Sequence, residues 1–271
     1  MRILVGTLYT IENEFEDCCN SIHDQTYENY EHLVIRNLPK KEAHDTLYQT
    51  FMEKSDTYDL LIKIDADMVL CRNDLFERIV QRFTCYPELD LLLIAVHDYF
   101  TDNLIIGMNI FRNTVQWGKN KNDLITDRIY NPDSIRKIEK DYDELAPAAI
   151  HCQNPSPYQA FHFGFHRGMK AIRRGGNWGI VQALFNRYHK NPDTHVAYAL
   201  LGVKSAFTNR FSIENISYND DTLYNYFKVK YEFKKPETLH RIVKRSKIFW
   251  LFTMNIDKRI VRKYYQLTLR V

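Results

Sequence analysis

Two aspartates one residue apart, Asp65 and Asp67, close the apolar run Leu60-Leu61-Ile62-Lys63-Ile64. They offer hard oxygen donors of the kind that hold Mg²⁺ or Mn²⁺. A leucine- and isoleucine-rich run of this length reads as a buried strand, here one that ends at Asp67. Residues i and i+2 of an extended chain point the same way, so both carboxylates are expected to face one ligand. Ligands of open α/β sheets bind beyond the carboxyl ends of the strands, where this pair is expected. Asp is also a common turn residue, so the same pair suits a plain turn. Downstream, His162 and His166 stand four residues apart, a spacing at which two imidazoles on one helix face can grip a metal. No third ligand of zinc type accompanies them.

Periodicity gives the elements that must position these groups. Ile3 to Val5 is the first strand, and Glu12 to His23 a helix with Phe15, Cys18, Cys19 and Ile22 on one stripe. His32 to Ile35 is the second strand; Lys40 to Lys54 is a helix with Ala43, Leu47 and Phe51 inward. After the paired aspartates, a helix from Asp74 buries Leu75, Phe76, Ile79, Val80 and Phe83, with Asp74 and Glu77 in the spacing of a capping box. Leu91 to Val96 and Ile105 to Arg112 read as strands, and Ser134 to Tyr142 as a short helix with Ile135 and Ile138 inward. Pro147 to His151 is one more strand, and helices cover Tyr158 to Arg173, Ile180 to Tyr188 and Thr194 to Ala206. Strands alternating with helices imply an α/β architecture, a mainly parallel sheet covered on both faces.

A chain of 271 residues, 45% apolar and 26% charged, suffices for one large domain or a domain with an appendage. No stretch approaches the roughly 18 apolar residues of a membrane span. The opening Met1-Arg2-Ile3-Leu4-Val5-Gly6 has strand character and no signal-peptide layout. Five cysteines in neither a zinc spacing nor an even set suggest a reducing cytoplasm. The net charge of +3 hides a gradient: from Lys228 onward 13 Lys or Arg face Glu232, Glu237 and Asp257, a net +10, which leaves −7 for the first 227 residues. Such a tail attracts nucleic acid or an anionic membrane surface, and its interleaved Phe249, Trp250, Leu251, Phe252, Ile260 and Tyr264 favour the membrane over nucleic acid. A helical lid with a solvated basic face accounts for the same residues. There is no Gly-x-Gly-x-x-Gly after the first strand, no Gly-Lys-Ser/Thr loop and no Gly-x-Ser-x-Gly elbow, which argues against dinucleotide, P-loop and serine-hydrolase chemistry.

The segment from Gly6 to Glu31 carries Ser21-Ile22, Gln25-Thr26-Tyr27, Asn29 and Glu31. It resembles the opening of family-2 glycosyltransferases with the GT-A fold, in which a Ser-Ile-x-x-Gln-Thr-Tyr-x-Asn-x-Glu segment precedes the second strand. The likeness is strong over residues 1 to about 85 and weak afterwards. It implies a nucleotide-diphospho-sugar transferase fold with a helical C-terminal extension: a donor-binding half over residues 1-112, an acceptor-side half over 113-227 and a basic helical tail over 228-271. Asp65-Ala66-Asp67 falls where that family carries its Asp-x-Asp, so the resemblance implies that Asp65 contacts ribose or metal and Asp67 the divalent ion, Mn²⁺ or Mg²⁺. The turn Thr7-Leu8-Tyr9-Thr10 lacks the family's usual Pro and Asn, and Arg36-Asn37-Leu38-Pro39 stands where Asp-Asp-Gly-Ser is usual. Thr7, Tyr9, Arg36 and Asn37 are therefore expected on the donor side, with Arg36 or Asn37 reading the base or touching phosphate.

More faintly, Gly107 to Arg112 and Ile125 to Arg128 resemble later family segments. They imply Asp127 as the base that deprotonates an attacking hydroxyl, with Asp98 and Asp102 in reserve. Leu145-Ala146-Pro147-Ala148-Ala149-Ile150-His151 is similar to the family's late Pro-x-Ala-x-x-x-His strand, which implies His151 as a metal or diphosphate ligand. His162, His166 and Arg167 are then expected on the acceptor or phosphate side. The resemblance implies an inverting transfer from a UDP- or GDP-sugar to a glycan or lipid-linked acceptor, cytoplasmic or peripheral at the inner membrane face. The rival readings are a nucleotidyltransferase, which needs a Gly-rich loop after its first strand that Gly6-Thr7-Leu8-Tyr9 lacks, and a non-catalytic nucleotide-sugar or glycan-binding protein.

Overall fold

The computed structural model describes residues 1–120, 124, 126, 130–212, 217–218 and 220–269. They fall into two compact units, Met1–Tyr99 with Asn103–Asn154, and Phe100–Asp102 with Pro155–Val271. The first unit continues past residue 112.

In the first unit β1 (Ile3–Tyr9), β2 (Tyr30–Arg36) and β3 (Leu60–Asp65) lie side by side in parallel, with β1 in the middle. Antiparallel to β3 runs β6 (Asn103–Arg112), which pairs with β5 (Leu89–Asp98). β5 pairs in parallel with β7 (Lys137–Asp141) and β8 (Ala149–His151), and β4 (Met68–Leu70) closes the edge antiparallel to β8. The sheet is therefore evenly mixed rather than mainly parallel: four strand pairings are parallel and three antiparallel.

Period-two alternation gives this sheet two apolar faces. Ile3, Val5, Leu60, Ile62 and Ile64 pack with Cys18 and Ile22 of α1 (Phe15–His23) and Leu75, Phe76, Ile79 and Phe83 of α3 (Leu75–Cys85). Leu4 and Leu61 turn the other way, onto Ala43, Leu47, Tyr48 and Phe51 of α2 (Lys40–Glu53). A Cβ at Gly6 would stand 2.4 Å from Leu47 Cδ1, so the missing side chain lets α2 approach β1.

Three expectations are corrected here. The strand expected to end at Asp67 stops at Asp65, and residues 66–67 form a turn. The helix expected over Ser134 to Tyr142 is a single 3-10 turn, Pro132–Ser134, followed by β7; pairing with β5 overrides the local helical spacing, and Ile138 is 47% exposed. Asp74 makes no side-chain cap to α3, because its carboxylate is taken by Arg72 and by Arg78 at 2.9 Å.

The second unit is helical: α4 (Pro157–Arg174), α5 (Trp178–Lys190), α6 (Thr194–Thr208), α7 (Asp221–Phe227), α8 (Pro236–Arg245), α9 (Lys247–Asn255) and α10 (Lys258–Leu269). Ser156 and Gln159 cap the start of α4 reciprocally, and Gly175 ends it with φ +70°. Where α4 meets α6, a Cβ at Gly164 would fall 1.8 Å from the Ala199 carbonyl oxygen and one at Gly202 2.0 Å from that of Phe161. Only glycines permit this backbone approach. Arg262 of α10 donates to the carbonyls of Ile172 and Arg173 at 2.9 and 3.0 Å, which satisfies the open C-terminal end of α4. Among the described residues no helix is long and apolar enough to cross a membrane.

Candidate metal centre

Asp65 closes β3 on the face it shares with Leu61 and Lys63. The buried Lys63 ammonium donates to Asp65 Oδ1 at 2.6 Å. Beyond the turn the chain enters β4, where Met68 sits opposite His151 of β8. The two aspartates therefore do not lie on one continuous strand. Asp65 stays with its lysine, and Asp67 is carried by the turn to the end of β8.

There Asp67 Oδ2 accepts the S–H of Cys152 at 3.1 Å and lies 3.4 Å from His151 Nε2. Cys152 Sγ is 3.5 Å from the same imidazole nitrogen. On the other side of the ring, His151 Nδ1 stands 2.7 Å from Oδ1 of the fully buried Asp98, the last residue of β5. A carboxylate can only accept, so Nδ1 carries a proton toward Asp98, and Nε2 is turned toward Asp67. The backbone fixes Cys152 as well: its N–H donates to the Asp67 carbonyl at 2.7 Å, and its φ of +54° lies in the left-handed region that non-glycine residues seldom occupy. Asp67 Oδ1 is buried and receives no hydrogen bond. One ligand atom each from Asp67, His151 and Cys152 lie within 4.8 Å of one another.

Burial pushes the Asp67 carboxyl up, but the imidazolium of His151 and the Cys152 S–H outweigh it and bring the acid down to about 2. For His151, burial works against charge, while the Cys152 sulfur and the Asp67 and Asp98 carboxylates raise it well above its ordinary value. Glu12 is raised to about 7 by burial and by the negative Asp67, despite backbone N–H donors from Thr10 at 2.7 Å and Ile11 at 3.0 Å. A carboxylate whose charge raises the proton affinity of a second buried acid suits a cation. The donor set of one oxygen, one nitrogen and one sulfur, with a spare buried carboxylate oxygen, fits a divalent ion; Asp65 is not part of it.

The residues expected on the donor side meet at the carboxyl ends of β2, β1 and β3. Tyr9 and Arg36 are register partners, as are Leu8 and Asp65. Tyr9 stacks on Phe15 at 4.0 Å, and the Arg36 guanidinium lies over both rings, 5.2 and 4.6 Å from their centroids. Asn37 adopts φ +57° and donates its N–H to the Tyr9 carbonyl at 2.9 Å. Thr7 is buried, its hydroxyl 2.9 Å from His32 Nε2, and Ala66 is buried in the turn. Asp127 lies outside the described residues.

His162, His166 and Arg167 belong to α4 of the second unit. The two histidine rings are 6.3 Å apart, and the buried His162 stacks on Tyr218 at 3.8 Å. Arg167 lies over Phe163 at 4.9 Å and donates to Asn177 Oδ1 at 3.2 Å. Among the described residues this pair is in no cluster of three metal-ligating groups.

Sequence reasoning missed Cys152, Glu12 and the part Asp98 plays. Cys152 adjoins His151, yet its partner Asp67 is 85 positions away, and no spacing motif links them. Asp98 was expected as a reserve base; its carboxylate instead orients an imidazole.

No family model and no curated protein matches the chain. Among solved structures, it is similar to the crystal structure of S. aureus TarS 1-349, at 12% identity over 76% of this chain and 81% of that one, with a TM-score of 0.40. It is also similar to the crystal structure of A197 from STIV, at 18% identity over 41% of this chain, with a TM-score of 0.31; the match spans 65% of A197. At TM-scores below 0.5 neither likeness bears on fold or function.

Proposed function

We propose that this chain is a metal-dependent glycosyltransferase of GT-A type that moves a sugar from a UDP- or GDP-sugar to a hydroxyl of a glycan or lipid-linked acceptor, with inversion. The observation that carries this reading is the pairing of Asp67, in the turn that follows β3, with His151 at the end of β8, the Asp67 Oδ1 being buried without a hydrogen-bond partner. The resemblance of Gly6 to Glu31 to the opening of family-2 glycosyltransferases supplies the substrate class.

Asp67 and His151 hold the ion, and Asp98 keeps the imidazole turned toward it. When bound, Mn²⁺ or Mg²⁺ neutralises charge gathering on the departing nucleoside diphosphate. Tyr9, Arg36 and Asn37, beside Asp65 at the strand ends, bind the nucleoside and its phosphates; the face of Tyr9 and the guanidinium of Arg36 suit a base and an anion. Asp127 takes the proton of the acceptor hydroxyl. His162, His166 and Arg167 serve the acceptor side. The basic helices α8 to α10 meet an anionic membrane surface at the cytoplasmic face: Ile248, Ile260 and Leu267 are 84%, 60% and 69% exposed among Lys244, Lys247, Lys258 and Lys263.

Thermal melts with nucleoside diphosphates, with and without Mn²⁺, test the metal reading. At least one diphosphate is expected to raise the melting temperature only with metal, and Asp67→Ala to abolish that rise. Stabilisation that survives in Asp67→Ala, or none with any diphosphate, overturns it. Co-sedimentation with vesicles rich in phosphatidylglycerol tests the tail. Ile248→Glu with Ile260→Glu is expected to weaken binding about tenfold; unchanged binding removes the membrane from the proposal.

A further inference from the structure

We infer that Cys152 is a third protein ligand of the Asp67–His151 centre, and that this centre selects a thiophilic divalent ion of the Zn²⁺ or Co²⁺ class over Mg²⁺. The inference rests on the metal reading above and changes which ion that reading takes.

Three separations carry it. Asp67 Oδ2 to Cys152 Sγ is 3.1 Å, Asp67 Oδ2 to His151 Nε2 is 3.4 Å, and Cys152 Sγ to His151 Nε2 is 3.5 Å. An ion with zinc-like bonds to oxygen, nitrogen and sulfur in a tetrahedron needs those donors roughly 3.3 to 3.5 Å apart. The two separations to Nε2 fall in that range and the oxygen–sulfur one lies just below it, where the S–H hydrogen bond now holds it, so the three atoms stand close to one face of such a polyhedron, whose fourth corner a phosphate oxygen would take. Catalytic zinc sites are built this way, with three protein ligands and one open place.

The surroundings agree with ligation. A metal-binding histidine usually gives its remote N–H to a carboxylate, which fixes tautomer and ring angle, and Asp98 takes that place at 2.7 Å from a fully buried position. Cys152 is itself buried, and its left-handed backbone, tied by its N–H to the Asp67 carbonyl, brings the thiol back over the carboxylate of the same residue. Asp67 Oδ1, buried without a partner, adds a second acceptor that hydrogen bonding within the cluster leaves unused.

Donor chemistry then decides the ion. Mg²⁺ takes oxygen ligands and keeps its water, whereas a thiolate and an imidazole favour Zn²⁺, Co²⁺ and Fe²⁺ over Mn²⁺, and Mn²⁺ over Mg²⁺. On ligation the Cys152 proton and the Nε2 proton of the His151 imidazolium both leave to solvent, and the sulfur replaces its hydrogen bond to Asp67 with a bond to the ion.

The test is Co²⁺ titration of the full-length apo protein, followed by absorbance, with Zn²⁺ and Mg²⁺ affinities from competition. The wild type is expected to show a sulfur-to-cobalt charge-transfer band in the near ultraviolet. Cys152→Ser is expected to lose that band and to bind Zn²⁺ about 10- to 100-fold more weakly while its Mg²⁺ affinity stays unchanged. Cys71→Ser and Cys85→Ser, at exposed thiols, keep the band. Asp98→Asn keeps the band but weakens Zn²⁺ about tenfold, which reads the site without touching the thiol, should Cys152→Ser fail to fold. Cobalt bound without the band, at equal affinity in wild type and Cys152→Ser, overturns the thiol ligand and leaves the Asp67–His151 reading standing. No ion bound by the wild type sinks both.

Discussion

Asp67 and Asp90 are both carboxylates withdrawn from water in the first unit, 13% and 0% exposed at the side chain, and they are treated in opposite ways. Asp90, at the start of β5, is saturated. It accepts from the Arg136 guanidinium at 2.6 and 2.9 Å, from the Arg136 N–H at 2.7 Å and from the Thr114 hydroxyl at 2.9 Å, with Arg112 Nε 3.8 Å away. Asp67 meets no arginine or lysine among the described residues; its partners are an imidazole and a thiol, and one oxygen is left over. The lone pairs of Asp90 are filled by a fixed cation, as in a structural acid, whereas one oxygen of Asp67 is left open, as the proposed metal site requires.

Exchange of the two acids for neutral residues should separate these roles. Asp67→Ala is expected to lower sugar transfer by more than about 10³-fold, measured as nucleoside diphosphate release, while the melting temperature without metal moves by only a few degrees. Asp90→Ala is expected to cost about 1.5 to 3 kcal/mol in urea unfolding, since it removes the charged acceptor of the Arg136 side chain and backbone N–H, while metal affinity stays within about threefold. Reversal of either pattern would break the distinction.

Acid titration sharpens it further. Burial opposes the charge of Asp90, but its bonds from Arg136 and Thr114 prevail and hold the carboxyl below its ordinary range. A folded-state value below the unfolded one adds stability that is present above the unfolded value, about 3.9, and is lost as pH falls through the lower folded value. Urea melts between pH 6 and pH 2 should therefore show a loss in wild type below about pH 4 that is reduced in Asp90→Asn. An identical acid limb in the two proteins would count against the network. The smallest effect is expected at Asp65. Because its carboxylate serves Lys63, Asp65→Asn should change Mn²⁺ or Zn²⁺ affinity by less than about threefold; a tenfold loss would return Asp65 to the metal.

Much of the frame was legible beforehand. The strands around Ile3 to Val5, His32 to Ile35, Leu60 to Ile64 and Leu91 to Val96, and the faces of α1, α2 and α3, follow from alternation and helical spacing, which are local. His151 was also singled out, from the segment around Ala146-Pro147, and the structure places its ring beside Asp67. The misread elements depend on distant partners. β7 has helix-compatible spacing and became a strand because β5 offered an edge. Asp67 left its neighbour because β4 pairs with β8, at the far edge of the sheet from β2, and does not prolong β3.

The sequence by itself determined which segments are apolar on one side, where the acids stand relative to a strand end, and that the last 44 residues are basic, because burial periodicity and charge are properties of neighbours in the chain. Only the tertiary structure decided that Asp65 is neutralised by Lys63 while Asp67 joins His151, Cys152 and Asp98. Side-chain partners 53 and 85 positions apart are chosen by strand order and register, which no local pattern encodes.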